Sequence, residues 1–152
     1  MIVNPGVQVL PDSLCKKCAW LWEVSLPEGL TKIGFYAFAF CKCLLEIKIC
    51  STVESIEEYA FACCQLLTKI EFEFSSSSPH QLKTIDQYAF VCCNSLQRIK
   101  IPSSVNMIGE SAFQYCDVLV EAILSTTSIT EISRLVFFAS RSLQTVSLPN
   151  SL

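Results

Sequence analysis

The chain repeats itself. Ile33–Cys41 reads Ile-Gly-Phe-Tyr-Ala-Phe-Ala-Phe-Cys, and Ile56–Cys64 reads Ile-Glu-Glu-Tyr-Ala-Phe-Ala-Cys-Cys. Ile85–Cys93 and Ile108–Cys116 keep the same pattern, and weaker copies start at Leu10 and Ile132. Successive first positions are 23, 23, 29, 23 and 24 residues apart. Three residues after the ninth position a leucine recurs: Leu21, Leu44, Leu67, Leu96, Leu119, Leu143. Two further apolar columns follow it, Val24/Ile47/Ile70/Ile99/Ala122/Val146 and Leu26/Ile49/Phe72/Ile101/Leu124/Leu148. A unit this short cannot bury its apolar face alone, so its copies must stack, each sealing the next. The units begin near 10, 33, 56, 85, 108 and 132, after a lead-in over 1–9, and form one domain over 10–152.

The L-x-x-I-x-I core, the Ala-Phe-x-x-Cys-x-x-Leu block and the proline after the strand (Pro27, Pro102, Pro149) resemble the BspA-like leucine-rich repeat family from Leu10 to Leu152. The resemblance implies a right-handed solenoid used for binding, often on cell surfaces. Two features depart from a full member: no secretion signal precedes the repeats, and the last unit stops just after its strand. They point to a fragment or to a short intracellular relative.

Within each unit the apolar pair alternates with polar residues, the period of a β-strand with one face inward. Strands one coil apart should stack as a single parallel sheet. On the opposite side, acids before Ala-Phe (Glu57, Glu58, Asp86, Glu110) favour a helical turn, preceded by a short extended piece. The Phe column, Phe38, Phe61, Phe90, Phe113 and Phe137, is the expected core spine. The cysteines Cys18, Cys41, Cys64, Cys93 and Cys116, all at the ninth position, should join it as small buried hydrophobes.

Composition fits this reading. The chain is 51% hydrophobic and only 16% charged, which is far from a disordered composition. With 11 Lys+Arg against 14 Asp+Glu it is no basic nucleic-acid binder. The apolar windows are interrupted by Lys42, Glu46, Lys48 and Glu121, so none reaches the roughly 20 residues of a membrane helix. The start of the chain lacks the order of a signal peptide, which by default reads as intracellular. Both ends lack a polar cap, so exposed apolar surface is expected over Leu10–Leu26 and Ile132–Leu152, where further repeats, a cap or a partner, including a second copy, would sit.

The longer step places an insertion in 73–81, read as a loop whose serine run is a candidate contact or phosphorylation site. His80, the only histidine, reads as exposed and inert. A four-thiolate zinc site would start from Cys15, Cys18, Cys41 and Cys43. A ladder, however, spreads thiols along an axis instead of converging them. Inter-coil disulfides have a suitable spacing, but ladder side chains point the same way and intracellular thiols stay reduced. No triad, phosphate loop or H-E-x-x-H motif is present, so neither a catalytic site nor a cofactor is expected.

The outward strand positions make two columns. One holds Glu23, Glu46, Lys69, Arg98, Glu121 and Thr145; the other holds Ser25, Lys48, Glu71, Lys100, Ile123 and Ser147. Alternating charge in the second predicts a cross-strand run Lys48–Glu71–Lys100. The face is either a solubilising surface that sets register or a docking site for a protein partner. Tyr36, Tyr59 and Tyr88 form a third column, an interface or a rim of the core. The leading expectation is a non-catalytic protein-interaction scaffold. The alternatives are a fragment of a cell-surface or adhesion protein and, behind it, a thiol-redox or zinc protein.

Overall fold

The computed structural model describes residues 1–73 and 79–152. Its strands are Val9–Leu10 (β1), Lys32–Ile33 (β2), Glu46–Ile49 (β3), Ser55–Ile56 (β4), Lys69–Phe72 (β5), Thr84–Ile85 (β6), Arg98–Lys100 (β7), Met107–Ile108 (β8), Glu121–Ile123 (β9) and Thr145–Ser147 (β10). All pairings are parallel, between one coil and the next. The chain is a parallel β-solenoid of about six turns, with repeats about 23 residues apart.

One ladder runs β1-β2-β4-β6-β8. It puts Leu10, Ile33, Ile56, Ile85 and Ile108 in register. These are the short extended pieces ending at each first position. The L-x-x-I-x-I strands form the other ladder, and it is not one sheet. It divides into β3-β5 and β7-β9-β10. The break falls between Phe72 and Arg98, on either side of the insertion. In β3 the burial alternates as the sequence predicts, with Ile47 and Ile49 inward and Glu46 and Lys48 outward.

The first unit's strand is also covered. Ser25 bridges Ile2 in parallel. The Val3 N–H donates to the Ser25 carbonyl at 3.2 Å, and the Ser25 N–H donates to the Met1 carbonyl at 2.9 Å. The residues before Leu10 thus extend the solenoid, and Val3 and Val7 pack on its core.

The expected helical turns do not form. Each unit instead makes two consecutive reverse turns, closed by bonds such as Ala37 N–H to Gly34 C=O and Cys41 N–H to Phe38 C=O, both 3.1 Å. Each pair of turns needs a left-handed residue at the fourth and eighth positions. All twelve such positions adopt it, among them Tyr36 at φ 54° and Phe40 at 63°, Tyr59 at 57° and Cys63 at 58°, Tyr88 at 56° and Cys92 at 59°. That conformation costs a non-glycine residue roughly 1–2 kcal/mol. It is offset because alternate N–H groups now face the next coil. Tyr36, Phe38 and Phe40 donate to Glu58, Ala60 and Ala62 at 3.2, 2.8 and 2.7 Å, and the pattern recurs at every junction. The acids have local partners instead of a helix dipole: Glu57 accepts from Ser55 Oγ at 2.9 Å and pairs with Lys32 at 3.2 Å. Asp86 Oδ1 accepts from the Gln87 N–H at 2.8 Å.

Phe38, Phe61, Phe90 and Phe113 are fully buried. Their rings stack face to face, with centroids 5.3, 5.1 and 5.3 Å apart. Phe137, in the sixth unit, continues the stack at 5.8 Å but is only partly buried.

The ninth-position thiols have a polar task that hydrophobicity alone does not show. Cys41, Cys64, Cys93 and Cys116 donate to the sixth-position carbonyl of the preceding coil, at 3.1, 3.2, 3.4 and 3.4 Å. In the last unit Ser140 makes the same bond with its hydroxyl, to the Phe113 carbonyl at 3.0 Å. Cys18 departs from its column. It is exposed.

His80 is buried, contrary to the exposed position expected of it. Its ring packs edge-on against Phe72 at 5.5 Å, and Nδ1 accepts from the Leu82 N–H at 3.2 Å. Burial lowers its pKa. The serine run of the insertion lies outside the described residues.

Candidate functional site: the outer sheet face

The strand register decides which outward side chains meet. Glu46 lies opposite Lys69 and Lys48 opposite Glu71. Arg98 lies opposite Glu121 and Lys100 opposite Ile123. Glu23, Glu46, Lys48, Lys69, Arg98 and Lys100 are exposed, while Glu71 and Glu121 are half-buried.

The expected run Lys48–Glu71–Lys100 does not form. Glu71 pairs with Lys69 of its own strand at 2.9 Å, since residues two apart in a strand share a face. That contact lowers the Glu71 pKa and raises that of Lys69. Lys100 faces an isoleucine across β9, so the alternation stops there. A second pair, Arg98–Glu121 at 3.5 Å, crosses from β7 to β9. Exposed pairs of this kind contribute little to stability, so the face has no strong structural demand for its charges.

The first two coils differ from the rest. A cavity of about 280 Å³ is lined by Glu23, Val24, Ser25, Leu26, Glu46, Lys48 and Glu73. A second, of about 250 Å³, shares Glu23 and Glu46 and adds Trp22, Leu45 and Thr68. Among the described residues, Glu23, Glu46 and Glu73 make no ion pair. Trp22 is 63% exposed and Trp20 89%. Sequence columns passed over these tryptophans because their positions hold no shared residue type: Leu45 and Thr68 follow Trp22, and Cys43 and Leu66 follow Trp20. Two tryptophans at outward positions of one unit were the available signal.

On the turn side, Tyr36, Tyr59 and Tyr88 are half-buried and stacked, with centroids 4.8 Å apart at both steps. Lys16 caps the stack, 3.8 Å from the Tyr36 ring centre. The column therefore shows ring edges to solvent and its faces to itself.

The thiols sort by depth. Cys18 is exposed; Cys43, Cys63 and Cys92 are half-buried; the others are buried. Burial pushes the Cys41 and Cys116 thiols up to about 12, and raises Cys64 and Cys93 as well. Among the described residues no three His, Cys, Asp or Glu side chains are grouped to hold a metal, the set Cys15, Cys18, Cys41 and Cys43 included. Alkylation of the native chain should label Cys18 first, with Cys41, Cys64, Cys93 and Cys116 labelled only on unfolding. Labelling of Cys64 at the rate of Cys18, read by peptide mass mapping, would contradict the burial.

Coils of this length, stacked through L-x-x-I-x-I strands, define a leucine-rich repeat solenoid. The chain belongs to the BspA-type leucine-rich repeat family: the description "BspA type Leucine rich repeat region" matches residues 8–143, in six copies. A leucine-rich repeat protein of T. pallidum is similar in structure, with 32% identity and a TM-score of 0.71 over 79% of this chain and 53% of that one. A leucine-rich repeat protein of Bacteroides ovatus covers all of this chain and 46% of its own, with a TM-score of 0.77 and 24% identity. A leucine-rich cell surface protein of Faecalibacterium prausnitzii matches 97% of this chain and 59% of its own, with a TM-score of 0.53 and 20% identity. The chain spans about half the length of the first two. No curated protein matches it significantly. No helix among the described residues is long and apolar enough to cross a membrane.

Proposed function

We propose that the chain is a non-catalytic scaffold that docks a protein partner on the outer sheet face of its first two coils. The observation that carries this is the pair of adjoining cavities around Glu23 and Glu46, with Trp22 standing exposed beside them. Exposed tryptophan is costly to leave in water and is the residue type most enriched at binding hot spots. Three carboxylates that make no ion pair among the described residues, at the same place, suit a partner segment with an apolar side chain next to Lys or Arg.

A random peptide library displayed on phage tests this directly. Binders selected on the chain should be rich in Lys or Arg beside an apolar residue. They should lose at least tenfold in affinity to Trp22→Ala combined with Glu46→Lys. Lys100→Glu, on the same face three coils away, should bind them as the unaltered chain does. Melting curves establish that both variants stay folded. Equal binding to all three proteins would remove this face as the docking site.

A further inference from the structure

The eighth position holds Lys17, Phe40, Cys63, Cys92, Tyr115 and Ala139 in turn. Only at the third and fourth units do two successive coils both place a cysteine there. The two share one backbone conformation, with φ 58° and 59°. They are neighbours through the ladder, since the Cys63 N–H donates to the carbonyl of Val91, the residue before Cys92, at 2.8 Å. Stacked coils lie about 4.8 Å apart, inside the Cα window of roughly 4.4–6.8 Å that a disulfide spans. Equivalent positions of successive coils, the two side chains leave the backbone on the same side of the ladder. Both are half-buried, so solvent reaches them. The ninth-position thiols Cys64 and Cys93 have the same spacing but are sealed and committed to carbonyls.

We infer that Cys63 and Cys92 are a redox-reactive pair that closes to a disulfide between the third and fourth coils by exchange with a small disulfide such as oxidised glutathione. One thiolate attacks the small disulfide, forming a mixed disulfide and releasing one thiol. The second cysteine then attacks the protein-bound sulfur and releases the other thiol. In sum, the two cysteines lose two protons and two electrons, and the small disulfide takes up both as two thiols. In-register side chains point the same way, so the bond closes with strain and is readily reduced. Its place matters: the junction of the third and fourth coils is where the outer sheet divides between β5 and β7. A covalent link there staples the solenoid at a junction whose outer strands are not paired.

The test uses the full chain carrying Cys18→Ser, which removes the most exposed competing thiol. After oxidised glutathione, the mass should fall by two hydrogens, and non-reducing peptide mapping should recover a Cys63–Cys92 link. The thermal midpoint should rise, and dithiothreitol should reverse it. Adding Cys63→Ser or Cys92→Ser should give one glutathione adduct and no rise. Glutathione adducts on both cysteines without a link, a link between other cysteines, or a linked protein with an unchanged midpoint would each overturn the inference.

Discussion

Phe90→Ala should destabilise the fold by about 3–5 kcal/mol, the usual loss for removing a fully buried aromatic ring. Phe90 has no solvent exposure and lies between Phe61 and Phe113, at 5.1 and 5.3 Å, nearly parallel to both. The substitution spares the backbone. The Phe90 N–H still reaches Ala112, and its carbonyl still accepts from Cys116. What is lost is ring contact on two sides and a cavity too enclosed to collapse. A domain of this kind has about 5–15 kcal/mol in all. Because each coil is held only by its neighbours, the damage should also uncouple the two halves. Chemical denaturation should then show a lower midpoint and a broader transition. Phe137→Ala, at the end of the stack and partly exposed, should cost much less. A loss under about 1 kcal/mol for Phe90→Ala would refute its place in the spine.

Alkali should unfold the chain steeply. An unfolded cysteine loses its proton near pH 8.5. In the folded chain burial penalises the thiolate: it holds Cys41 and Cys116 up to about 12, raises Cys64, Cys93 and Cys50 as well, and holds Cys15 and Cys92 up to about 11. Below pH 8 both states are protonated and stability is fully present. Above about 9 the unfolded state binds fewer protons than the folded one, so stability falls as pH rises. Each such thiol takes away about 1.4 kcal/mol per pH unit, and the four ladder thiols Cys41, Cys64, Cys93 and Cys116 together about 5.6. The whole fold should therefore be lost within about one to three units above pH 9. Circular dichroism against pH reads this. Cys64→Ser removes one titrating group while keeping a donor to the Phe38 carbonyl, as Ser140 already does for Phe113. It should flatten the slope by up to about 1.4 kcal/mol per pH unit. Equal slopes for Cys64→Ser and the unaltered chain would show that the buried thiols do not drive the transition.

Particular residues show how much was legible in advance. Alternation at Glu46-Ile47-Lys48-Ile49 gave strand and facing correctly, because both follow from the two-residue period of the backbone. The Ala-Phe-x-x-Cys block was placed correctly as one wall of the core, but its conformation was not. Tyr59 and Cys63 carry no local preference for a left-handed backbone, and only the carbonyls of the next coil repay it. Likewise Cys93 read as a small hydrophobe, since its carbonyl partner Phe61 lies one coil away. On the outer face the columns were right and the pairing was not. Glu71 had a partner two residues off in its own strand, whereas the alternation across strands pointed elsewhere.

The sequence by itself determined the repeat, the number of coils and, outside the sixth unit where Val146 and Leu148 are exposed, most of the columns that face inward, because these follow from periodicity and apolarity within each unit. Tertiary structure alone decided the left-handed turn pairs, the thiol-to-carbonyl bonds, the division of the outer sheet, the burial of His80 and, among the described residues, the lack of an ion pair at Glu23 and Glu46 beside Trp22. Each of these depends on which atom of the adjacent coil stands opposite. A residue's own neighbours in the chain carry no record of that.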